Sequence, residues 1–473
     1  MPDSLVMVRW RMESILTAPP ESQCPGWRAM RGVRILSRCV PLYPRTIPMG
    51  EERIIPPPPH SRRREAAILD EVPPALAIVL WQDVRQLRMW AECTAGERAR
   101  LFNSDPAARA RALSKRTEAP ACAPELTSAL NTFWNLRSAP VPADPAALGE
   151  ACAAVVAWAL ENDHVQTAIE FAEAGALVSP TSPALANLAG RVTRGANEFE
   201  RSEIWFQRAI GFARDRGDKI ELTRAHLGYG TLCKELGRVN CARTHLNSGS
   251  ALARKYGPPS LAAEAQHDLC ALMIVRGRFK EARERARRAL ALYPKTHRRL
   301  PFFAADVALL FVLERRFRTA AHVLKSTLRL ITQPAPRSVV LALSARAAAG
   351  AGRVEEAALL RRRALKLVEK NPGLEGVARW HLADSYRLVG DWEAADQEAQ
   401  TVLRWATARN DRELARLTLM LVGIVRSRIP ARPKPDEDAD LRDFVVLLEK
   451  RISGWVPRRA RSSSGPWGAE WVA

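Results

Sequence analysis

Seven segments of this 473-residue chain share one pattern, and the spacing between them stays within 34 to 40 residues. Each segment has a turn residue, an aromatic residue or valine two positions later, and a small residue three positions after that. The turn residues are Asp163, Asn197, Gly237, Gly277, Arg315, Gly352 and Gly390. They are followed by Val165, Phe199, Val239, Phe279, Phe317, Val354 and Trp392, and then by Ala168, Ser202, Ala242, Ala282, Ala320, Ala357 and Ala395. A pattern kept in phase through seven copies indicates an array of similar units.

Apolar or small residues recur every three to four positions on both sides of each turn, which predicts a pair of antiparallel helices. Glycine at the turn allows left-handed backbone, and the small residue lets the two helices approach closely. No such pair can bury its apolar face alone, so neighbouring pairs have to stack into a continuous core. A generic helical bundle is the alternative, and the constant phase over seven units argues against it.

The clearest copies are RWHLADSYRLVGDWEAADQEAQTVL, with Gly390 at its turn, and HDLCALMIVRGRFKEARERARRALALYP, which ends at Pro294. In the first copy the matching positions are Leu382, Ala383, Tyr386, Gly390, Trp392 and Ala395. These residues resemble the tetratricopeptide repeat, in a long-period variant with units of 37–40 residues. The resemblance implies an all-α fold, a right-handed α-solenoid of about seven helix-turn-helix units closed by a capping helix. The long period and the three turns without glycine depart from the family pattern.

The rest of the chain divides around this array. Residues 66–140 predict short helices, because Leu76, Leu80, Val84, Leu87 and Trp90 fall on one helix face and Thr94 is a capping residue. A DNA-binding helix-turn-helix is the alternative there, without a clear three-helix signature. The predicted divisions are 1–65 (a disordered or mis-annotated segment), 66–140 (a small helical region), 146–428 (the array and its capping helix), 429–440 (a Pro-rich linker), 441–456 (an amphipathic helix) and 457–473 (a disordered basic tail). In the amphipathic helix, the apolar residues predicted to share one face are Leu441, Phe444, Leu447 and Leu448.

Composition narrows the function classes. Hydrophobic residues make up 47% of the chain, as in a folded protein, and the formal net charge is +21, which attracts acidic partners. No apolar run approaches the roughly 18 residues of a membrane-spanning helix. Charged residues interrupt the first 20 residues, so no secretion signal is predicted. We therefore expect a cytoplasmic protein without a membrane span.

Motifs for chemistry are sparse. The sequence has no P-loop, dinucleotide fingerprint or zinc-protease motif, which predicts a protein that is not an enzyme and carries no cofactor. None of the eight cysteines has C-x-x-C spacing, and we expect reduced cysteines in the core. His226, Cys233, Cys241 and His245 suggest a metal site, but Cys233 falls at a packing position, and core or surface roles explain the four better.

In the family, the first helix of each unit lines a concave groove that commonly holds a peptide or a partner helix. Projecting each unit onto a helix places ten polar residues on that face: Asn187, Arg191, Arg194, Arg224, Lys234, Glu264, His267, Arg346, Asp384 and Arg387. Because the set is mostly cationic, the resemblance implies a non-catalytic scaffold or adaptor that binds an acidic peptide or protein. For any single residue, a solvated polar position is the alternative. The alternative function is the sensory part of a transcriptional or signalling regulator, in which nucleic acid is the less favoured partner.

Overall fold

The computed structural model describes residues 55–59, 65–102, 123–138, 143–369, 375–408, 411–430 and 439–455. Within these ranges every regular element is helical. In the described part of the chain before the array, the helices are α1 (Ile68–Glu71), α2 (Pro74–Glu92), α3 (Ala95–Leu101) and α4 (Thr127–Ser138), the last entered through a short 3-10 turn. Two follow it: α19 (Arg412–Arg426) and α20 (Ala439–Ser453).

Seven helix pairs form the array between them. The first helices of the pairs are α5 (Pro145–Glu161), α7 (Pro183–Gly195), α9 (Lys219–Glu235), α11 (Pro259–Val275), α13 (Leu300–Leu313), α15 (Pro334–Gly350) and α17 (Glu375–Leu388). The second helices are α6 (Val165–Val178), α8 (Phe199–Asp215), α10 (Val239–Tyr256), α12 (Phe279–Leu292), α14 (Phe317–Thr327), α16 (Val354–Val368) and α18 (Trp392–Ala408). This order confirms the predicted all-α solenoid of tetratricopeptide-like units.

The seven predicted turn residues all adopt the left-handed conformation, with φ between 60° at Asp163 and 86° at Gly390. The aromatic residue or valine two positions later is in every case the first residue of the second helix. The small residue three positions further is fully buried in all seven units. The sequence pattern therefore predicted both the turn conformation and the point of closest approach between the paired helices.

Successive units interlock through large side chains that occupy spaces left by glycine. Phe206 of α8 is fully buried and lies against Gly190 of α7 and Gly228 of α9. A methyl group added at either glycine would overlap the Phe206 ring. This close packing joins the second and third units into one core.

The N-terminal helices pack on the first unit. Helix α2 lies against α6 and buries the predicted apolar face, and Thr94 caps α3 in a reciprocal capping box with Glu97. Glu71 accepts hydrogen bonds from the backbone N–H groups of Gln166 and Thr167, at 2.8 and 2.9 Å. A carboxylate in this place satisfies free N–H groups at the start of α6 and interacts favourably with the helix dipole.

The two C-terminal helices have different positions. Helix α19 packs on α17 and α18 and closes the array, as predicted for a capping helix. Helix α20 instead contacts α12, α13 and α14, in the middle of the array. Every residue of α13 is buried except Phe302, which is half-buried, and the Phe311 and Phe444 ring centroids are 6.4 Å apart.

Three of the four apolar residues predicted to share a face of α20 are buried, namely Leu441, Phe444 and Leu448. The prediction was wrong for Leu447, which is 59% exposed, because Val445 and Ile452 complete the buried face instead. Polar contacts fix the ends of this docked helix. His322 Nε2 lies 2.8 Å from Glu449, and Trp455 Nε1 donates to the His297 carbonyl at 3.0 Å.

The other predicted divisions remain predictions. Residues 1–54, 60–64, most of the 429–440 linker and the tail from 456 lie outside the described residues. Residues 55–59 are described and contact α8. Among the helices that the structure describes, none combines the length and the apolar composition needed to cross a bilayer.

Replacing Gly352 with alanine should lower stability by about 1 kcal/mol, since a side chain at positive φ strains the backbone. The φ of Gly352 is +79°, and an added Cβ would meet no atom within 4 Å, so only the backbone term changes. Gly211→Ala is the matched control: it also lacks neighbours but lies inside α8, where alanine should raise stability by up to about 1 kcal/mol. Thermal unfolding followed by circular dichroism measures both, and shifts of the same sign would contradict this account.

Candidate binding face

Of the ten polar residues predicted for the groove, all except Glu264 are the predicted partner-binding residues. All ten lie on first helices of the array. We call this set of positions the first-helix face. Arg224 and Arg387 are half-buried. The other seven predicted binding residues are buried: Asn187, Arg191, Arg194, Lys234, His267, Arg346 and Asp384. The structure therefore places most of these side chains in contacts between neighbouring helices.

The contacts run from one first helix to the next. Asn187 of α7 donates through Nδ2 to the backbone carbonyl of Glu221 at 3.1 Å and to its carboxylate at 2.9 Å. Arg194 of α7 donates to Glu235 of α9 at 3.0 Å. Arg224 pairs with Glu221 within α9. These pairs give α7 and α9 a defined register, because buried polar groups have to meet their partners.

A buried histidine connects α11 and α13. His267 Nε2 lies 2.8 Å from the Asp306 carboxylate, and its Nδ1 lies 3.0 Å from the Tyr293 hydroxyl. Burial raises the pKa of Tyr293 well above its usual value, so the hydroxyl keeps its proton and can donate to Nδ1. Both nitrogens of the imidazole ring thus have partners inside the protein.

Carboxylates of α11 also bind the residue that precedes α13. Arg299 donates to Glu264 at 3.3 Å and to Asp268 at 2.7 Å. Lys234 is buried nearby, and burial lowers its pKa, although Glu235 and Asp268 oppose that shift. Positive charge in the middle of the first-helix face is therefore largely balanced by carboxylates.

The balance between positive and negative charges differs at α15 and α17. Arg346 and Arg387 both pair with the single carboxylate of Asp384, each at 2.5 Å. Burial opposes the ionisation of Asp384, but the two guanidiniums hold its pKa well below its usual value. Burial and Arg346 together lower the pKa of His381 to about 3, so this neighbour is neutral. Two cations on one anion leave this cluster with an excess positive charge.

The four residues considered for a metal site separate into two pairs. Cys233 and Cys241 are joined by a disulfide between α9 and α10, so the expectation of reduced cysteines is wrong here. The Nδ1 atoms of His226 and His245 lie 2.9 Å apart. Burial lowers the pKa of His226 to about 4, and His245 adds to that shift. In the described ranges, no three His, Cys, Asp or Glu side chains are grouped as metal ligands.

Sequence reasoning missed the carboxylates that pair with the predicted cations. Three of these partners are Glu221, Glu235 and Asp306, and a fourth carboxylate, Asp268, pairs with Arg299, which was not among the predicted cations. A signal was present, because Asp268 and Asp306 both stand nine residues before their turn residues, Gly277 and Arg315. An acidic residue at the same position in consecutive units predicts that each carboxylate pairs with a side chain of a neighbouring unit.

No protein-family model matches the chain, and no curated protein matches its sequence. Among solved structures it is similar to a chain of the APC/C hetero-tetramer Cut9-Hcn1, with 14% identity and a TM-score of 0.40 over 76% of this chain and 59% of that one. It is also similar to a Rap protein complexed with competence and sporulation factor, with 10% identity and a TM-score of 0.33 over 74% of this chain and 98% of that one. The tetratricopeptide-like assignment rests on the turns and helix pairs described above.

Arg346→Leu should cost about 3 kcal/mol or more, because it leaves Asp384 buried with one of its two cations removed. The matched control is Arg353→Leu, which breaks an ion pair with Glu356 in which both side chains are 46% exposed. That loss should cost less than about 1 kcal/mol. Chemical denaturation of both variants measures the difference, and equal costs would show that burial does not govern this pair.

Burial of neutral His381 should give a contribution to stability that is lost as the pH falls below about 6.5. The pKa of His381 is about 3 in the fold, so between that value and the unfolded pKa of about 6.5 this residue binds more protons in the unfolded chain. Its contribution is complete above that window and falls by up to about 1.4 kcal/mol per pH unit as the pH decreases. His226, whose pKa is about 4, acts in the same direction, and Glu170, whose pKa burial raises to about 7, acts in the opposite one. Urea midpoints between pH 7 and 5 measure the slope of stability against pH for each protein. His381→Gln should lower the wild-type slope by up to about 1.4 kcal/mol per pH unit, whereas His322→Asn, at a side chain 63% exposed, should leave it unchanged.

Proposed function

We propose that the protein is a non-catalytic scaffold that binds an acidic peptide or protein segment along its first-helix face. The observation that carries this proposal is the cluster in which Arg346 and Arg387 share one carboxylate. Its excess positive charge lies at the end of an array of stacked units, a form that presents an extended binding surface. The net charge of +21 adds long-range attraction for an acidic partner.

Arg387 is the accessible cation of this cluster. Its side chain is 11% exposed, compared with 4% for Arg346, and Asp384 holds it by its Nε atom. Its Nη1 also donates to the Ile429 carbonyl at 3.3 Å, so a partner carboxylate would meet the other N–H groups of the guanidinium, and charge-assisted hydrogen bonds of this kind are strong. A partner carboxylate at Arg387 would restore the balance of two cations and two anions.

Arg224 is the second accessible cation, with a side chain 21% exposed on α9. Three units lie between that of α9 and that of α17, so a single partner that contacts both arginines has to be an extended segment. Extended segments are ligands that grooves between helices can hold along their length. We expect the protein to bind this partner in the cytoplasm.

A fluorescent dodecapeptide of mixed Asp and Glu should bind the full-length protein, with an affinity that falls as salt is added. Arg387→Glu should weaken binding about tenfold or more, because it removes an attractive contact and adds a repulsive charge. Arg363→Glu on the outer helix α16 makes the same change in net charge at an exposed position and is the matched control. Fluorescence anisotropy measures all three proteins. If the two variants bound the peptide with equal affinity, net charge alone would explain binding, and the proposed binding face would be wrong.

A further inference from the structure

A run of four prolines lies on the second helix of the second unit. The segment Ile55–Pro59 has the sequence IPPPP and precedes the helical part of the chain. Arg201 of α8 donates through Nη1 to the Pro59 carbonyl at 2.5 Å, and the Arg208 guanidinium donates to the Ile55 carbonyl. Pro58 is buried, whereas its neighbours Pro57 and Pro59 are exposed. Two arginines on one helix thus hold both ends of the segment.

The spacing of the two arginines fits a polyproline II segment. Arg201 and Arg208 are seven residues apart, which is about 10.5 Å along a helix at 1.5 Å per residue. Ile55 and Pro59 are four residues apart, which is about 12 Å at the polyproline II rise of 3.1 Å. Prolines have no N–H, so their carbonyls are the backbone groups available for recognition, and these are the atoms that the arginines contact.

Two aromatic side chains lie along α8 beside the two donors: Trp205 is fully buried and Phe212 is half-buried. Trp205 is four residues after Arg201 on the same side of α8, and the Arg208 guanidinium lies 5.4 Å from the Trp205 ring and 5.1 Å from the Phe212 ring. We call these four residues the α8 face. Aromatic rings combined with hydrogen-bond donors are what proline-rich ligands require, since such segments offer flat apolar rings and exposed carbonyls.

Contacts with Glu173 of α6 hold this face in position. Its carboxylate accepts from Arg201 Nε at 2.8 Å and from Trp205 Nε1 at 3.0 Å, and Arg88 of α2 lies 3.5 Å away from it. Because Glu173 already neutralises Arg201, a partner carboxylate would gain little from that guanidinium, and Arg208 donates here to a neutral carbonyl. The neutral carbonyls of a proline-rich segment are the better match. The α8 face therefore differs in ligand chemistry from the first-helix face.

We propose that the α8 face is a binding site for proline-rich segments, that Ile55–Pro59 is its intramolecular ligand, and that a proline-rich segment of a partner protein competes for it. A tethered ligand has an effective concentration in the millimolar range, so it excludes a partner of modest affinity. Binding of a partner then requires displacement of Ile55–Pro59. This inference does not depend on the proposed function, because it uses another helix and another ligand chemistry.

The probe is a labelled peptide with the chain's own sequence RIIPPPPHS, and the vacated protein is the full chain with Pro56→Gly, Pro57→Ser, Pro58→Gly and Pro59→Ser. The vacated protein should bind the peptide at least tenfold more tightly than the wild type, in which the site is occupied. The peptide RIIGSGSHS should not bind. Pro58→Gly alone removes the buried ring, and this milder variant decides the test if the fourfold variant loses helicity.

Arg208→Ala, placed in the vacated protein, should weaken peptide binding about tenfold, because it removes the donor to the first carbonyl. Arg214→Ala on the same helix is the matched control, since Arg214 is exposed and should leave the affinity unchanged. Fluorescence anisotropy measures the peptide affinity of each variant and of its control. The proposal is overturned if the vacated protein fails to bind the peptide, if it binds both peptides equally, or if both arginine variants behave alike.

Discussion

The structure depends on the close approach of two helices directly after each left-handed turn. The small residue at that point is fully buried in all seven units, so no side chain separates the helices there. The turn fixes the direction in which the second helix leaves, and the small residue fixes how near it lies. Larger side chains such as Phe206 then fill the space between units. The array is therefore one local geometry repeated, with neighbouring units supplying the burial that a single unit lacks.

Polar residues complete the core on the first-helix face. Pairs such as Asn187–Glu221 and His267–Asp306 join helices of neighbouring units, in buried positions. A buried ion pair adds little net stability, but it penalises every register in which its partners do not meet. We infer that these contacts select the alignment of one unit on the next. On the same face, Arg387 lies at a cluster where the pairing of charges is uneven.

The features that could be predicted were those determined by residues close together in sequence. The turn at Gly390 and the helix start at Trp392 follow from residue types within one unit, as does the cap at Thr94. The missed features join distant parts of the chain. Glu235 as the partner of Arg194, and the exposure of Leu447, depend on which helices meet, and a single sequence does not state that. The residues projected onto the first helices predicted a cationic face, because the projection left out the carboxylates that neighbouring helices contribute.

The docking of α20 changes how the array can behave mechanically. A solenoid normally transmits force and unfolding from unit to unit, because each unit contacts only its neighbours. Here the chain leaves the end of the array after α19 and returns to α13, whose residues are buried apart from the half-buried Phe302. Helices α13 to α19 are thus enclosed within a loop whose two ends touch. Pulling on the C-terminus would load the fourth and fifth units, which α20 contacts, before the seventh, and the fifth to seventh units would unfold together.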